Sequence, residues 1–413
     1  MKVEAPRGTL DVLPAEQPAR EAVIGTAESA AADYGYRRIV TPTFEDTDLF
    51  ARTSGSGSDV VQKEMYTFED RSGRSLTLRP EATAPIARAY LEHGLHREPQ
   101  PVKMFLIGPM FRYSAPQKGR YREFWQIDFE AMGSDDPAVD AELIQLFTEI
   151  ARRARVRYTR LEINSIGDRR CRPRYIEALR AFLRERWDSL DEDARRRAET
   201  SPLRVFDTKN PGVALVLADA PRIGDSLCDE CRRHFEAVLA YLNRYGVEYE
   251  LRPTLVRGLD YYTRTVFEFV NDALEAAQST ICAGGRYDYL IEEIGGPPTP
   301  GVGWAAGVER MVLSRDADAE RPSVDVFIAL DESGQRDDVL PLLARLRAAN
   351  IAAETDYAAR SLKGQLTQAG RLKARYTVIY KGADERAQVW ERGGAHDQVP
   401  ADELERHLLE RAR

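Results

Sequence analysis

The stretch Val256 to Phe269, VRGLDYYTRTVFEF, sets Arg257 ahead of a glycine, an aspartate, two tyrosines and a β-branched, aromatic run that reads as a buried strand. A guanidinium there offers a fixed positive charge that does not titrate near neutrality. In EFWQIDFEAMG the two-residue period of a strand puts Phe124, Gln126, Asp128 and Glu130 on one face and Trp125, Ile127, Phe129 and Ala131 on the other. The second set is greasy and packs on helices. The first aligns an amide with two carboxylates, which is also the ordinary pattern of a strand with one wet face. Just upstream, GPMFRYSAPQKGRYR carries Arg112 in a strand and Lys118, Arg120 and Arg122 in a loop. Cations gathered at a hairpin tip beside carboxylates suit a polyphosphate docked next to an amine, though a merely solvated tip has the same composition. In GVGWAAGVERMVL, glycines 301, 303 and 307 clear side chains where something flat must approach the backbone, and Arg310 follows where it can stack on a base. The alternative is a glycine-eased contact between helix and sheet. LRPEATAPIAR reads as a strand ending at Arg79 and a helix opened by Pro80, with Glu81 and Thr83 as caps or as a grip on a substrate ammonium.

These residues need elements to hold them. Residues 1–160 mix helical patterns (15–34, 80–93, 137–154) with strand-like runs joined by short turns, which points to antiparallel pairing. The Gly/Ser-rich stretch RTSGSGSDVVQKE, 52–64, reads as a lid or ordering loop. Residues 171–245 turn charged and helical and read as an inserted subdomain, after which strands resume at 248–270 and 278–283. A polar linker, SRDADAERPS, leads to strand 324–330, helix 335–349, strand 351–355, helix 359–373 and strand 375–380, an alternation that predicts a small α/β unit with a largely parallel sheet.

Composition narrows the class. With 413 residues, 43% hydrophobic and 31% charged, the chain has room for two or three domains and no window resembling a membrane span or signal peptide. Its net charge of −8 argues against a diffusely basic nucleic-acid binder but not against local patches. Four cysteines make no disulfide framework, so a reducing cytoplasm is expected. Neither a Walker loop nor a G-x-G-x-x-G after a strand is present, which disfavours P-loop and Rossmann sites. CDECRRHF supplies a single C-x-x-C; Cys228 and Cys231 are zinc candidates, with His234, Cys171 and Cys282 as distant partners, but no protein-held metal is expected.

Six stretches in this order, RGTLDVLP, LRPEATAPIAR, GPMFRYSAPQKGRYREFWQIDFE, LVRGLDYYTRTVFEF, AGGRYDYL and GVGWAAGVERMVL, resemble the histidyl-tRNA synthetases, class II aminoacyl-tRNA synthetases of subclass IIa, over nearly the whole chain. The RGLDYY segment is the most specific. The resemblance implies an α+β fold: an antiparallel sheet of six or seven strands flanked by helices in a catalytic domain (1–320, helical insert near 171–245), and a C-terminal α/β anticodon-binding domain (321–413). It implies a cytoplasmic ligase that uses ATP and Mg²⁺ to make histidyl-adenylate and passes histidine to tRNA(His), and a homodimer formed through 20–46. By carry-over, Arg257 and Arg112 meet the α-phosphate, and Arg310 the γ-phosphate or adenine. Arg120 and Glu123 complete the ATP site. Glu81, Thr83 and Gln126 surround the α-amino group, Glu130, Tyr261 and Tyr262 the imidazole, and Asp128 stands behind them. Arg360, Lys363 and Gln365 of RSLKGQ would meet the anticodon. Trp125, Ala283 and Trp304 depart from the family pattern. The competing reading is a catalytically silent regulatory subunit of ATP phosphoribosyltransferase built on the same fold, which usually lacks the C-terminal module.

Overall fold

The structure is a computed structural model that describes residues 3–53, 63–274, 279–316, 324–332 and 334–412. It divides into two compact units, Met1–Asp316 and Ala317–Arg413. The first begins α1 (Gln17–Asp33), β1 (Arg37–Arg38), β2 (Phe44–Asp46), α2 (Thr47–Thr53), β3 (Tyr66–Glu69), β4 (Ser75–Leu78) and α3 (Thr83–Glu92). It continues through β5 (Val102–Phe111), β6 (Glu123–Met132), α4 (Pro137–Arg153) and β7 (Arg160–Ser165) to the helices α5 (Arg172–Glu185), α6 (Glu192–Thr200), α7 (Pro211–Ala218) and α8 (Asp229–Tyr245). It ends with β8 (Glu250–Leu251), β9 (Thr263–Val270), β10 (Thr280–Arg286), α9 (Leu290–Glu293), β11 (Gly301–Gly307) and α10 (Val308–Leu313). Of the stretch 52–64 expected to form a lid or ordering loop, residues 54–62 lie outside the described residues.

Eight of these strands form one sheet in the order β1-β5-β6-β11-β10-β9-β7-β8. The six inner strands pair antiparallel throughout, while the two outer pairs, β1 with β5 and β7 with β8, are parallel. The sheet exceeds the expected six or seven strands because β1 and β8 have two residues each, too few to show a period. Strands β2, β4 and β3 make a separate three-stranded sheet.

Alternation along β6 decides which layer lies where. Ile127, Phe129 and Ala131 turn into an apolar layer shared with α1, α4 and α8, where Trp304 stacks on Phe129 at 4.7 Å and donates its indole N–H to Leu143 O at 2.9 Å. A tryptophan where the family is smaller is thus filled space with its polar tip satisfied. The other layer packs α3 and α5–α7 with Leu106, Tyr261, Tyr262 and Tyr287. The stretch 171–245 is therefore not one body: α5–α7 belong to this second layer, whereas α8 places Val238 and Leu242 in the first, against α4.

The second unit holds β12 (Val326–Leu330), α11 (Arg336–Ala348), β13 (Ala353–Thr355), α12 (Leu362–Arg371), β14 (Tyr376–Tyr380), β15 (Arg386–Glu391), β16 (His396–Pro400) and α13 (Leu404–Arg411). Its sheet order is β13-β12-β14-β15-β16, parallel at β13-β12-β14 and antiparallel beyond. The expectation of a largely parallel sheet stops at residue 380. The β15–β16 hairpin is too charged to show an apolar run, yet it buries Ala387, Val389 and Val399 against α13. Among the described residues no helix is long and apolar enough to cross a membrane.

Candidate active site

A cavity of about 470 Å³ opens over the polar face of β6. It exists because of what faces that strand. In register, Gln126, Asp128 and Glu130 lie opposite Gly307, Ala305 and Gly303 of β11, so three polar side chains meet three minimal ones. A methyl at Gly303 would overlap the Glu130 carboxylate. The helix predicted to open at Pro80 instead begins at Thr83, leaving Glu81 in the preceding turn, where its carboxylate accepts the Thr83 and Ala84 N–H groups at 2.7 and 3.0 Å. Capping and lining are therefore combined in one residue.

One end of the cavity is acidic. Asp128 and Gln126 are buried, and neither Asp128 oxygen nor Gln126 Oε1 has a partner among the described residues. Burial, reinforced by Glu130 and Glu81, lifts the Asp128 carboxyl well above its usual range. An unpaired buried carboxyl is unfavourable unless something fills the space and bonds it. Asp128, assigned from the sequence to a place behind the site, thus lines it. Glu130 is the reverse: it sits beneath the lining, its oxygens accepting Thr83 Oγ1 at 2.6 Å and the Tyr287 hydroxyl, and burial pushes its carboxyl up to about 8. Tyr287, in AGGRYDYL, went unassigned in the sequence; a tyrosine beside a glycine pair was its only signal. Tyr261 and Tyr262, 4.7 Å apart, close this end with Thr83.

Four guanidiniums line the rest of the cavity, Arg112, Arg120, Arg257 and Arg310; Arg112 is close enough to Glu81 and Asp128 to favour their charged forms and Arg257 lies 5.7 Å from the Tyr262 ring, so these two adjoin the acidic end. Arg112 is aimed by a 2.8 Å bond from its Nε to Pro80 O and lies over the Phe124 ring. Arg310 donates to Thr280 O at 2.7 Å and Gly119 O at 3.1 Å, and burial with the nearby Arg112 and Arg120 pulls its pKa down to about 10. Guanidiniums held close enough to depress one another call for a polyanion between them. Arg120 pairs with Glu64 at 2.9 Å. The expected four-cation hairpin tip is only half present: Lys118 is exposed, and Arg122 folds over Tyr113 and donates to the carbonyls of Arg7 and Ser114. Glu123 is exposed at the start of β6 and does not line the cavity.

Arg257 precedes β9 and ion-pairs with Glu268, whose other oxygen accepts the Thr280 hydroxyl at 2.9 Å. Burial opposes the Arg257 charge, but Glu268, Tyr262 and Asp207 outweigh it and raise its pKa. Its Nε is buried without a partner among the described residues. Glu268 was not singled out from the sequence, although a carboxylate between Phe267 and Phe269 is the anomaly that marks it. Among the described residues no histidine or lysine lines the cavity. The site can fix opposite charges on a substrate, with an acidic set and a set of guanidiniums on one lining.

Two sequence-predicted groups lie elsewhere. His234, a possible zinc partner by sequence, faces Asp140 at 3.2 Å, in a buried network with Arg286 and Asp288 where burial is outweighed by Arg286 and the Asp140 carboxyl falls to about 2. Cys282 lines the cavity. In the second unit Lys363 is exposed on the first turn of α12 and Arg360 ion-pairs with Asp356. Gln365 is buried and fully used, accepting Leu330 N at 2.8 Å and donating to Leu330 O and Arg360 O at 3.1 and 3.0 Å. Its amide holds α12 on β12.

Comparison with known proteins bears on all of this. The histidyl-tRNA synthetase family profile matches residues 8–311. The chain is 46% identical to the histidine–tRNA ligase of Halothermothrix orenii over 92% of its length and 91% of the relative's. It is 46% identical to that of Moorella thermoacetica over 97% and 96%. The crystal structure of apo Staphylococcus aureus histidyl-tRNA synthetase superposes with a TM-score of 0.81 at 36% identity, covering 99% of this chain and 100% of the other. With its sheet, its acid- and arginine-lined cavity and these relatives in agreement, the chain belongs to the histidyl-tRNA synthetase family.

Proposed function

We propose that the chain is a histidine–tRNA ligase that activates histidine with ATP and transfers it to tRNA(His). Residues 1–320 form the catalytic domain and 321–413 the anticodon-binding domain. The observation that carries the reading is the polarity of one cavity: buried Asp128 oxygens and Gln126 Oε1 without a partner among the described residues, and, on the same lining, Arg310 held close enough to Arg112 and Arg120 to be repelled by them. An amino acid brings an ammonium to the first set and a nucleoside triphosphate brings its anionic chain to the second.

Histidine's ammonium is received by Glu81, Thr83, Gln126 and Asp128, with its imidazole toward Tyr261, Tyr262 and the Glu130 beneath them. Its carboxylate oxygen attacks the α-phosphorus in line, the bond from that phosphorus to the bridging oxygen breaks, and pyrophosphate leaves. Arg112 and Arg257 stabilise the charge that accumulates on the α-phosphate, and Arg310 and Arg120 hold the β,γ end. ATP arrives as its Mg²⁺ complex, so the ion enters with the substrate and shares the polyphosphate charge. In the second step a hydroxyl of the terminal tRNA ribose attacks the acyl carbon and AMP departs. The absence of a lining histidine or lysine among the described residues fits a reaction run by positioning and fixed charge. Glu123, exposed and off the cavity, has no part in this scheme.

The protein is further proposed to work in the cytoplasm as a homodimer paired through 20–46. Val40 and Phe44 in that segment are exposed, and Phe44 packs edge-on at 6.3 Å against an equally exposed Phe68. Histidine-dependent exchange of pyrophosphate into ATP, followed by charging of tRNA(His), tests the function. No exchange with histidine, together with binding to a phosphoribosyltransferase, would instead make the chain a regulatory subunit.

A further inference from the structure

The helices α5–α7 of the second layer run between β7 and α8, and at the neck where that stretch begins and ends four side chains converge. Asp168, Cys171, Cys228 and Cys231 bring one ligand-type atom each within 4.8 Å of the other three. Asp168, Cys171 and Cys231 are buried and Cys228 is half-buried. The sulfurs of Cys171 and Cys231 are 3.9 Å apart, and Cys171 Sγ lies 3.4 Å from Asp168 Oδ1. A tetrahedral zinc with usual bond lengths needs edges of about 3.8 Å between sulfurs and about 3.5 Å between sulfur and oxygen. The two measured edges fit without rearrangement.

The backbone is built for this approach. Cys228 is the N-cap of α8 and Cys231 lies in its first turn, so the C-x-x-C pair presents both thiols at a helix N-terminus, where free N–H groups favour thiolates. Gly167 has φ +65°, and a Cβ there would come within 2.6 Å of Cys171 Sγ; only glycine suits both the dihedral and the space. Asp168 Oδ1 accepts the N–H groups of Arg170 and Cys171 at 2.9 and 3.3 Å, and Oδ2 is held by Arg170, which fixes the carboxylate toward the sulfurs.

We propose that Asp168, Cys171, Cys228 and Cys231 bind a structural zinc ion that closes the neck of the α5–α7 insert. Three soft thiolates and one carboxylate at four-coordinate spacing select Zn²⁺ over Mg²⁺ or Ca²⁺. Binding releases three thiol protons to solvent, and with all four positions taken by protein no site remains for a substrate. The ion ties residues 60 positions apart in sequence, so it removes a long loop from the freedom of the unfolded chain. It also touches function indirectly. Arg172, next to Cys171, donates to Tyr262 O at 2.6 Å and to Ile166 O and Gly167 O. The neck therefore orients the tyrosine segment that closes the acidic end of the cavity.

The test is metal content of the full-length chain, purified reduced and without chelator or affinity tag. Inductively coupled plasma mass spectrometry is expected to find about one zinc per chain in the wild type and less than about a tenth in Cys171→Ser and Cys231→Ser. Cobalt exchanged into the wild type should give the sulfur-to-metal charge-transfer bands and intense visible bands of a tetrahedral thiolate site. Asp168→Cys should keep the metal and strengthen the charge-transfer band, an outcome that a purely packing role for Asp168 would not produce. If the serine variants do not fold, the wild-type zinc and cobalt measurements still decide. Wild-type protein that carries almost no zinc and takes up no cobalt after reduction overturns the proposal. So does a Cys228–Cys231 disulfide trapped by thiol alkylation in protein taken directly from cells.

Discussion

Glu130 belongs to the acidic set of the site and Arg257 to its guanidiniums, and each makes a prediction at the level of a single side chain. Buried Glu130 has its pKa raised from 4.5 to about 8. The folded chain thus holds that proton more tightly than the unfolded chain does, so the stability it contributes is complete below the unfolded value and is lost as pH rises through about 8. Asp128 and Glu81 are shifted in the same direction. The melting temperature of the ligand-free protein should therefore fall as pH rises from about 4.5 to about 8, and Glu130→Gln should flatten part of that slope. A Glu130→Gln curve parallel to the wild type would mean the carboxyl is not protonated in the fold. For Arg257, replacement by alanine should slow histidine-dependent pyrophosphate exchange by about 10²- to 10³-fold through kcat, leaving KM for histidine nearly unchanged. A loss confined to KM would assign the arginine to ground-state binding. The arginines and the polar face of β6 were legible from residue type and spacing. What escaped was depth: periodicity gives the face of a strand, not which residue on it is roofed over. Hence Asp128 and Glu130 exchange the places expected of them, and Glu268, the partner of Arg257, was read as part of an apolar strand.

At the level of elements, the cavity is a property of two adjacent strands. The β6 strand supplies Gln126, Asp128 and Glu130, and β11 supplies Gly307, Ala305 and Gly303 directly opposite. Gly284 of β10 is equally constrained, since an added methyl would meet the Gly303 carbonyl and Trp304. Gly303→Ala should displace the Glu130 side chain from Thr83 and Tyr287 and raise KM for histidine about tenfold or more. KM for ATP, which the guanidiniums bind, should move little; steady-state exchange kinetics at varied histidine and ATP measure both. Equal rises in the two constants would point to a general loosening of the sheet. Strands of eight to ten residues, such as β5, β6 and β9, were readable in advance because an apolar run or, in β6, a repeating period extends over several residues. The two-residue edge strands and the charged β15–β16 hairpin were not, since only tertiary pairing makes them strands. The neck cluster was legible only in part for a related reason: Cys228, Cys231 and Cys171 stood out as cysteines, but linear spacing cannot bring Asp168 and Cys171 to the C-x-x-C pair across the insert.

At the scale of the molecule, the division into units Met1–Asp316 and Ala317–Arg413 implies that activation and tRNA binding can be damaged separately. The whole cavity belongs to the first unit, while Arg360, Lys363 and Gln365 belong to the second, and these three do not act alike. Gln365→Ala leaves Leu330 N and Leu330 O without the amide that satisfies them, which should lower stability by about 1–3 kcal/mol. Its effect on tRNA should follow only from that loss. Lys363 is exposed on the first turn of α12 and free to meet phosphate, and Arg360 beside it would exchange Asp356 for a phosphate oxygen. The double variant Arg360→Ala/Lys363→Ala should therefore exchange pyrophosphate normally, while KM for tRNA rises about tenfold. Its tRNA affinity should also depend less steeply on salt, the log–log slope falling by about one for each phosphate contact removed. Titrations at several salt concentrations separate the two causes: an unchanged slope with a raised KM would mean that the basic turn shapes the unit but does not touch the nucleic acid.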